Sequence, residues 1–430
     1  MTRRSEKSTG NDSGQSGGLT GVGLSSLIAA ASGYLVLFIA ARSLNEAENA
    51  SFLAYWAALF FVIGILAGII NEGTRAVSSS VQRGTSGTGP RILGTGLGIG
   101  VAAAAVIAAS SPLWAGELFT DGQPWLLVAG MSVVAVAYAG HASLAGAAGG
   151  LREWKLFAGL AAAEALVRLA AVALVALLAA GLAGIEMACI AGAFVWLLFL
   201  VFGSSARKAA GARSDVPGPV LIRRMGHALT SAAATATLIT GYPVLLKFTT
   251  PDAEYALAAP LILAISLTRA PIMLPLQAFQ AVLINRFVNA PRDRGLGLLI
   301  RPLALILAIG VAGAALAALA GPWIMLIFGP GYWVDPWTMA VLTFAAALMA
   351  ALTLTGTIAL AIDRHRIYAV GWVTATVVAL GALLLDGPLV DRVFASLIAG
   401  PLVGIAVHVI GIRRRASDVV VPTLPEQKDS

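Results

Sequence analysis

Arg269 is the residue in this chain whose type and position most demand a chemical role. It lies in Leu257–Arg286, a stretch long and apolar enough to cross a bilayer. Arg269 falls about 18 Å in from Leu257 at ~1.5 Å of rise per helical residue, which is deep in the hydrocarbon. A guanidinium there costs roughly 3 kcal/mol on insertion scales, so it faces a wet cavity or a partner. Its chemistry is anion binding by charge-assisted hydrogen bonds. At ~100° per residue Gln280 lies about 20° from Arg269 and Gln277 about 80°, which makes one side of this helix polar. The alternative is an arginine held by a buried carbonyl or carboxylate. Pro271 and Pro275 remove two backbone donors, so a kink is expected below it.

A second group is Glu164 and Arg168, spaced i, i+4 with the acid first, the favourable order on a helix. They are about 12 and 18 Å from the start of their apolar run at residue 156. The pair either neutralises itself to lower the cost of insertion, or holds Glu164 ionised as a titratable coupling group. Arg75 shares a helix face with Glu72 at i, i+3 near the end of another apolar run. It is expected to snorkel to the interface, where an anionic group entering from the cytoplasm could meet it. His141 and His408 lie in apolar runs and read as packing residues before proton carriers. Thr230, Ser231, Thr235, Thr237 and Thr240 lie on one apolar stretch, but hydroxyls there commonly bond to their own helix.

The elements that position these groups are membrane spans. The 430 residues are 58% hydrophobic and 11% charged, where a soluble domain carries about 25% charged. Mean hydropathy is +0.87. The apolar runs predict twelve transmembrane helices, near 19–41, 50–71, 92–111, 125–148, 156–180, 185–203, 226–246, 256–284, 302–320, 337–361, 367–385 and 392–411. With the N-terminus in the cytoplasm, most of the 28 basic residues fall in inside segments. The outside segments keep only Arg42, Lys247 and Arg392. The orientation thus obeys the positive-inside rule, with both termini cytoplasmic. The net charge of +7 belongs to these loops and implies no nucleic-acid partner. The lone Cys189 lies in an apolar run, so there is no disulfide framework. No GxxxxGK[ST], HExxH or paired-cysteine motif occurs, so neither a cofactor nor a metal is expected. Gly94, Gly96, Gly98 and Gly100 lie inside a span and read as helix-packing residues.

The expected organisation is a disordered tail, 1–18; a first six-helix bundle, 19–203; a charged, Pro/Gly-bearing linker, 204–225; a second six-helix bundle, 226–411; and a tail, 412–430. An internal repeat supports the division. Asn45–Ala50 matches Pro251–Ala256, Phe119 and Trp125 match Phe328 and Trp337, and Lys155–Ala158 matches Arg366–Ala369, all offset by about 206 to 212 residues. Six spans per half make the repeats parallel.

Several stretches resemble the multidrug/oligosaccharidyl-lipid/polysaccharide exporter superfamily, and within it the polysaccharide-type flippases. They are Ala41-Arg-Ser-Leu-Asn-Glu-Ala-Glu48, Gly149–Phe157 followed by Glu164 and Arg168, Thr268–Pro271 through Gln277, Gln280 and Arg286, Leu326-Ile-Phe-Gly-Pro-Gly-Tyr332, and Asp363–Arg366. The resemblance implies an all-α fold of two six-helix bundles in a V that opens to each side in turn. It implies a multi-pass protein of the bacterial plasma membrane, and no enzyme. It also implies a flippase that moves a polyprenyl-diphosphate-linked glycan for cell-envelope polysaccharide biosynthesis. In that reading Arg269, Gln277, Gln280 and Arg75 bind substrate. Its partners are the lipid-linked glycan, membrane lipids and polysaccharide-biosynthesis proteins. The first helix lacks the mid-membrane arginine of the lipid II flippase, which argues against that substrate. The alternatives are a multidrug or cation exporter of the same fold, a polysaccharide polymerase or ligase, and a scaffold. A polymerase or ligase needs a large external loop that this chain lacks. A cation exporter needs a carboxylate in its cavity, and Glu164, the one clearly intramembrane acid, is already offset by Arg168, so a cationic cavity argues for an anionic headgroup instead.

Overall fold

The computed structural model describes residues 12–84, 89–120, 123–288, 295–362 and 364–417. Side chains are described except at 12–20, 270, 274–275, 277–288, 295–298 and 414–417. Gln277 and Gln280 therefore fall outside the described side chains. Residues 1–11 and 418–430 of the expected tails fall outside the described residues.

The protein is all-α. The chain runs through α1 (Asp12–Ser43), α2 (Glu46–Leu66), α3 (Gly68–Gln82), α4 (Ile92–Ser110), α5 (Ala115–Leu118), α6 (Pro124–Gly150), α7 (Trp154–Leu177), α8 (Gly181–Ala188) and α9 (Val195–Phe202). It continues through α10 (Ser204–Ala210), α11 (Gly218–Ile239), α12 (Tyr242–Thr249), α13 (Asp252–Tyr255), α14 (Ala259–Val288) and α15 (Gly295–Met325). It ends with α16 (Pro336–Ala361), α17 (His365–Leu383) and α18 (Leu389–Ser417). Among the described residues ten helical stretches are long and apolar enough to cross a membrane, and the bent pair α11–α12 makes an eleventh. The eighth expected span corresponds to α14, one helix that runs through Pro271 and Pro275.

Contacts divide the chain into two compact units, Met1–Leu267 with Trp323–Val334, and Thr268–Pro322 with Asp335–Ser430. In the first, α1 lies on α7, and α6 receives both α3 and α4. The glycine run explains the second contact. A Cβ at Gly100 would stand 2.7 Å from the Ala139 Cβ and 2.9 Å from the Ala135 carbonyl, so only glycine lets α4 approach α6 this closely. Gly94 and Gly98 face the other way, with nothing within 4 Å of a Cβ.

The seventh expected span is broken. α11 and α12 meet at 62°. Pro243 at the start of α12 cannot continue the hydrogen-bond ladder of α11. The hydroxyls of Thr230, Thr237 and Thr240 donate to carbonyls four residues back, and Thr235 to one three back, so they line their own helix.

In the second unit α18 packs on α16 and α17. His408, fully buried, ties the three together. Its Nε2 lies 3.2 Å from the Tyr368 carbonyl on α17, and its Nδ1 lies 3.0 Å from Thr355 Oγ1 on α16. A carbonyl only accepts, so Nε2 carries the proton. His408 thus packs and staples. His408→Leu is expected to cost about 1–3 kcal/mol, because both bonds are lost in a buried site. The readout is a lowered melting temperature in detergent, and an unchanged one would remove this role.

Candidate functional site

The first unit holds a cluster of charged groups within its membrane spans. Glu164 and Arg168 on α7 form an ion pair, and both are buried. The Arg168 guanidinium sits 4.7 Å from the ring centre of Phe60 and 5.8 Å from that of Trp56, both on α2. These faces replace part of the hydration that the cation loses. On α6, Tyr138 and His141 stack at 5.4 Å, and both lie within electrostatic reach of Arg168. Cys189, just past α8, is within electrostatic reach of both Arg168 and Glu186. Glu186 in turn reaches Tyr55 on α2.

Glu186 was not legible as an intramembrane acid. The expected sixth span began at 185, which put Glu186 at its rim. The helix instead starts at Gly181, and Glu186 is only 1% exposed. Five residues of helix place it about 7 Å in from Gly181. The signal lay in Gly181-Leu-Ala-Gly-Ile185, which is apolar enough to extend the span. The cluster therefore holds two carboxylates and one guanidinium.

Arg75, also expected at the site, has other partners. Arg75 is 2.6 Å from Glu72 and 3.2 Å from Asp215 of the linker. Arg83 and Arg224 also approach Asp215, at 3.4 and 3.9 Å. The Asp215 side chain is fully buried among these three arginines. The network fastens the linker to the end of α3. Arg269 lies half-buried on α14, in the second unit.

The first unit also carries a cavity of about 590 Å³ lined by Arg42, Asn45, Glu46, Leu257 and the turn Gly329–Tyr332. Two stretches far apart in the chain, both singled out by family resemblance, meet here. Asn49 donates to the Tyr332 hydroxyl at 2.6 Å. Burial and the nearby Glu46 push the Tyr332 hydroxyl up to about 12, against the lowering effect of Asn49. Asn45 caps α2, with its side chain accepting from the Glu48 N–H at 2.9 Å while the Glu48 carboxylate accepts from the Asn45 N–H at 3.0 Å. Gly331 leaves room for the Glu46 carboxylate, which a Cβ would strike.

No protein-family model matches the chain. A relative in Mycobacterium tuberculosis, uncharacterized protein Rv1510, is 40% identical over 93% of this chain and 92% of its own length. A solved inward-facing multidrug resistance MATE family transporter of the MOP superfamily matches at a TM-score of 0.70. It is 12% identical, with 90% of this chain and 94% of that chain covered. An outward-facing one matches at 0.67, with 13% identity and coverage of 93% and 95%. The chain therefore has the MATE-type transporter fold of these solved structures, an all-α polytopic membrane fold.

These likenesses correct the flippase expectation. The two solved transporters named above are multidrug resistance MATE proteins, so a polyprenyl-diphosphate-linked glycan is withdrawn as substrate, and polysaccharide-biosynthesis proteins as partners. The physical reason lies in what the motifs do. Asn45–Glu48 is a capping box, and Gly329–Tyr332 is a turn held by Asn49. Such residues set helix ends across a superfamily. Their capping and turn roles are local, and so they report the fold and not the cargo.

Proposed function

Since the chain belongs to the same family as the mycobacterial protein Rv1510 and has the MATE-type transporter fold, we propose that it is a multidrug or cation exporter working by alternating access. The observation that carries this reading is backbone likeness to multidrug transporters over nine-tenths of the chain, in an inward-facing and an outward-facing form. The buried cluster supports it chemically. Glu164 and Arg168 offset each other, and Glu186 adds a second carboxylate. A buried carboxylate of this kind can exchange a proton or a cation as a carrier opens to each side. In this proposal Glu186 carries the exchangeable charge and Glu164 the structural one. Arg269 contributes the wrong sign for a cation, so the counter-charge is placed on the acids of the first unit.

The test is transport of a fluorescent amphiphilic cation, such as ethidium, into proteoliposomes under an imposed proton or sodium gradient. Wild-type protein is expected to accumulate the dye, and Glu186→Gln to fall to the level of empty vesicles while inserting and melting like wild type. No gradient-driven accumulation by wild type under either ion would sink the exporter reading. Full accumulation by Glu186→Gln would remove Glu186 from the mechanism.

A further inference from the structure

We propose that the cytoplasmic end of α4 holds a binding site for one anionic phospholipid of the inner leaflet. A cavity of about 370 Å³ opens there, lined by Arg91, Leu93, Gly94, Leu97, Arg207 and Gly211. Its two arginines come from different elements. Arg91 is the residue before α4, and Arg207 lies in the last turn of α10. Arg207 is oriented by its own chain, since Nη1 donates to the Leu200 and Val201 carbonyls at 3.1 and 2.8 Å. Among the described residues no carboxylate lies within ion-pair distance of either arginine, whereas Arg75, Arg83, Arg224 and Lys208 each have one. Two guanidiniums thus converge at the membrane interface with their charge unspent, as recognition of a phosphate requires.

The rest of the site fits a lipid better than a soluble anion. Leu97 also lines a second, apolar groove of about 510 Å³, with Ala104, Val133, Val136, Phe194 and Leu197. The two grooves follow one another along α4. From Arg91 to Ala104 the helix climbs about 20 Å, slightly more than the half-thickness of a ~30 Å hydrocarbon core. A headgroup at the arginines would therefore lay an acyl chain along α4 as far as mid-membrane. The site also accounts for Gly94, a glycine that helix packing leaves unexplained. Gly96 and Gly100 face α6, whereas Gly94 and Gly98 face open space, and Gly94 lines the cavity.

The experiment is native mass spectrometry of the purified full chain, delipidated in detergent and titrated with phosphatidylglycerol or with phosphatidylcholine of the same chains. One phosphatidylglycerol adduct is expected to outcompete phosphatidylcholine. Arg91→Gln with Arg207→Gln should weaken it roughly 25-fold, about fivefold for each charge. Gly94→Leu keeps both arginines but fills the cavity, and should abolish the preference. A Cβ at Gly94 meets nothing within 4 Å, so this variant folds and decides the matter even if the arginine variant does not. Equal binding of the two lipids, or an undiminished adduct in Gly94→Leu, overturns the proposal. Displacement of the lipid by free glycerol phosphate also overturns it, because the site would then be one for a headgroup anion alone. None of these readouts depends on transport.

Discussion

Arg168→Ala is expected to cost about 3–5 kcal/mol of folding stability, because it leaves Glu164 as an uncompensated buried charge. Both side chains are well shielded, at 6% and 12% exposure, so solvent cannot take over the lost partner. The loss exceeds the ion pair alone. The guanidinium also rests on Phe60 and Trp56, and truncation empties the space over those rings. Removing both charges with similar volume, as in Glu164→Leu with Arg168→Met, should restore most of the stability, since a buried pair barely outweighs its own desolvation. Thermal and denaturant melts of the three proteins in one detergent provide the check. An Arg168→Ala protein that melts like wild type would mean that water reaches the pair. A double variant as weak as the single one would mean that the arginine acts through packing and not through charge.

Gly192→Val should be the most damaging small substitution in the same region. Gly192 lies in the 3-10 turn Ala191–Phe194, pressed against α7. A Cβ there would collide with the Glu164 carbonyl oxygen and stand 3.3 Å from the Arg168 Cβ. The first obstacle is backbone within a helix, so no rotamer change relieves it. Overpacking of this kind costs about 1–3 kcal/mol, and a β-branched residue lies at the upper end. The displaced turn also moves Cys189 and Glu186 relative to Arg168. Gly192→Val is therefore expected to lose dye accumulation even where protein survives purification. Gly98→Ala serves as the control. It lies in an equally apolar helix but meets open space, and should melt like wild type. Equal behaviour of the two variants would show that the turn shifts away from α7 without consequence.

The sequence by itself determined the solvent of this protein and much of its connectivity. Long apolar runs have one stable use, because a backbone in hydrocarbon must satisfy its own hydrogen bonds. The fold was legible through a resemblance carried by helix-end motifs such as Asn45–Glu48 and Leu326–Tyr332, whose capping and turn roles are local. The Glu164–Arg168 contact was legible too, because i, i+4 spacing on a helix is a local fact. What those motifs could not carry was the cargo, since capping and turn formation impose the same residue types whatever is transported. Only the tertiary structure decided which charges share an interior. Glu186 shares an interior with Arg168 through Cys189 because α8 begins four residues earlier than hydropathy alone placed it, and because Gly192 lets the following turn lie on α7. Arg75 is bound to Asp215, 140 positions away, a partner that no helical spacing could name. Likewise Arg91 and Arg207 converge only through the packing of the linker beneath α4. Contacts within one turn of helix are written in neighbouring residues. Contacts between helices depend on how closely two backbones approach, and a few glycines set that distance.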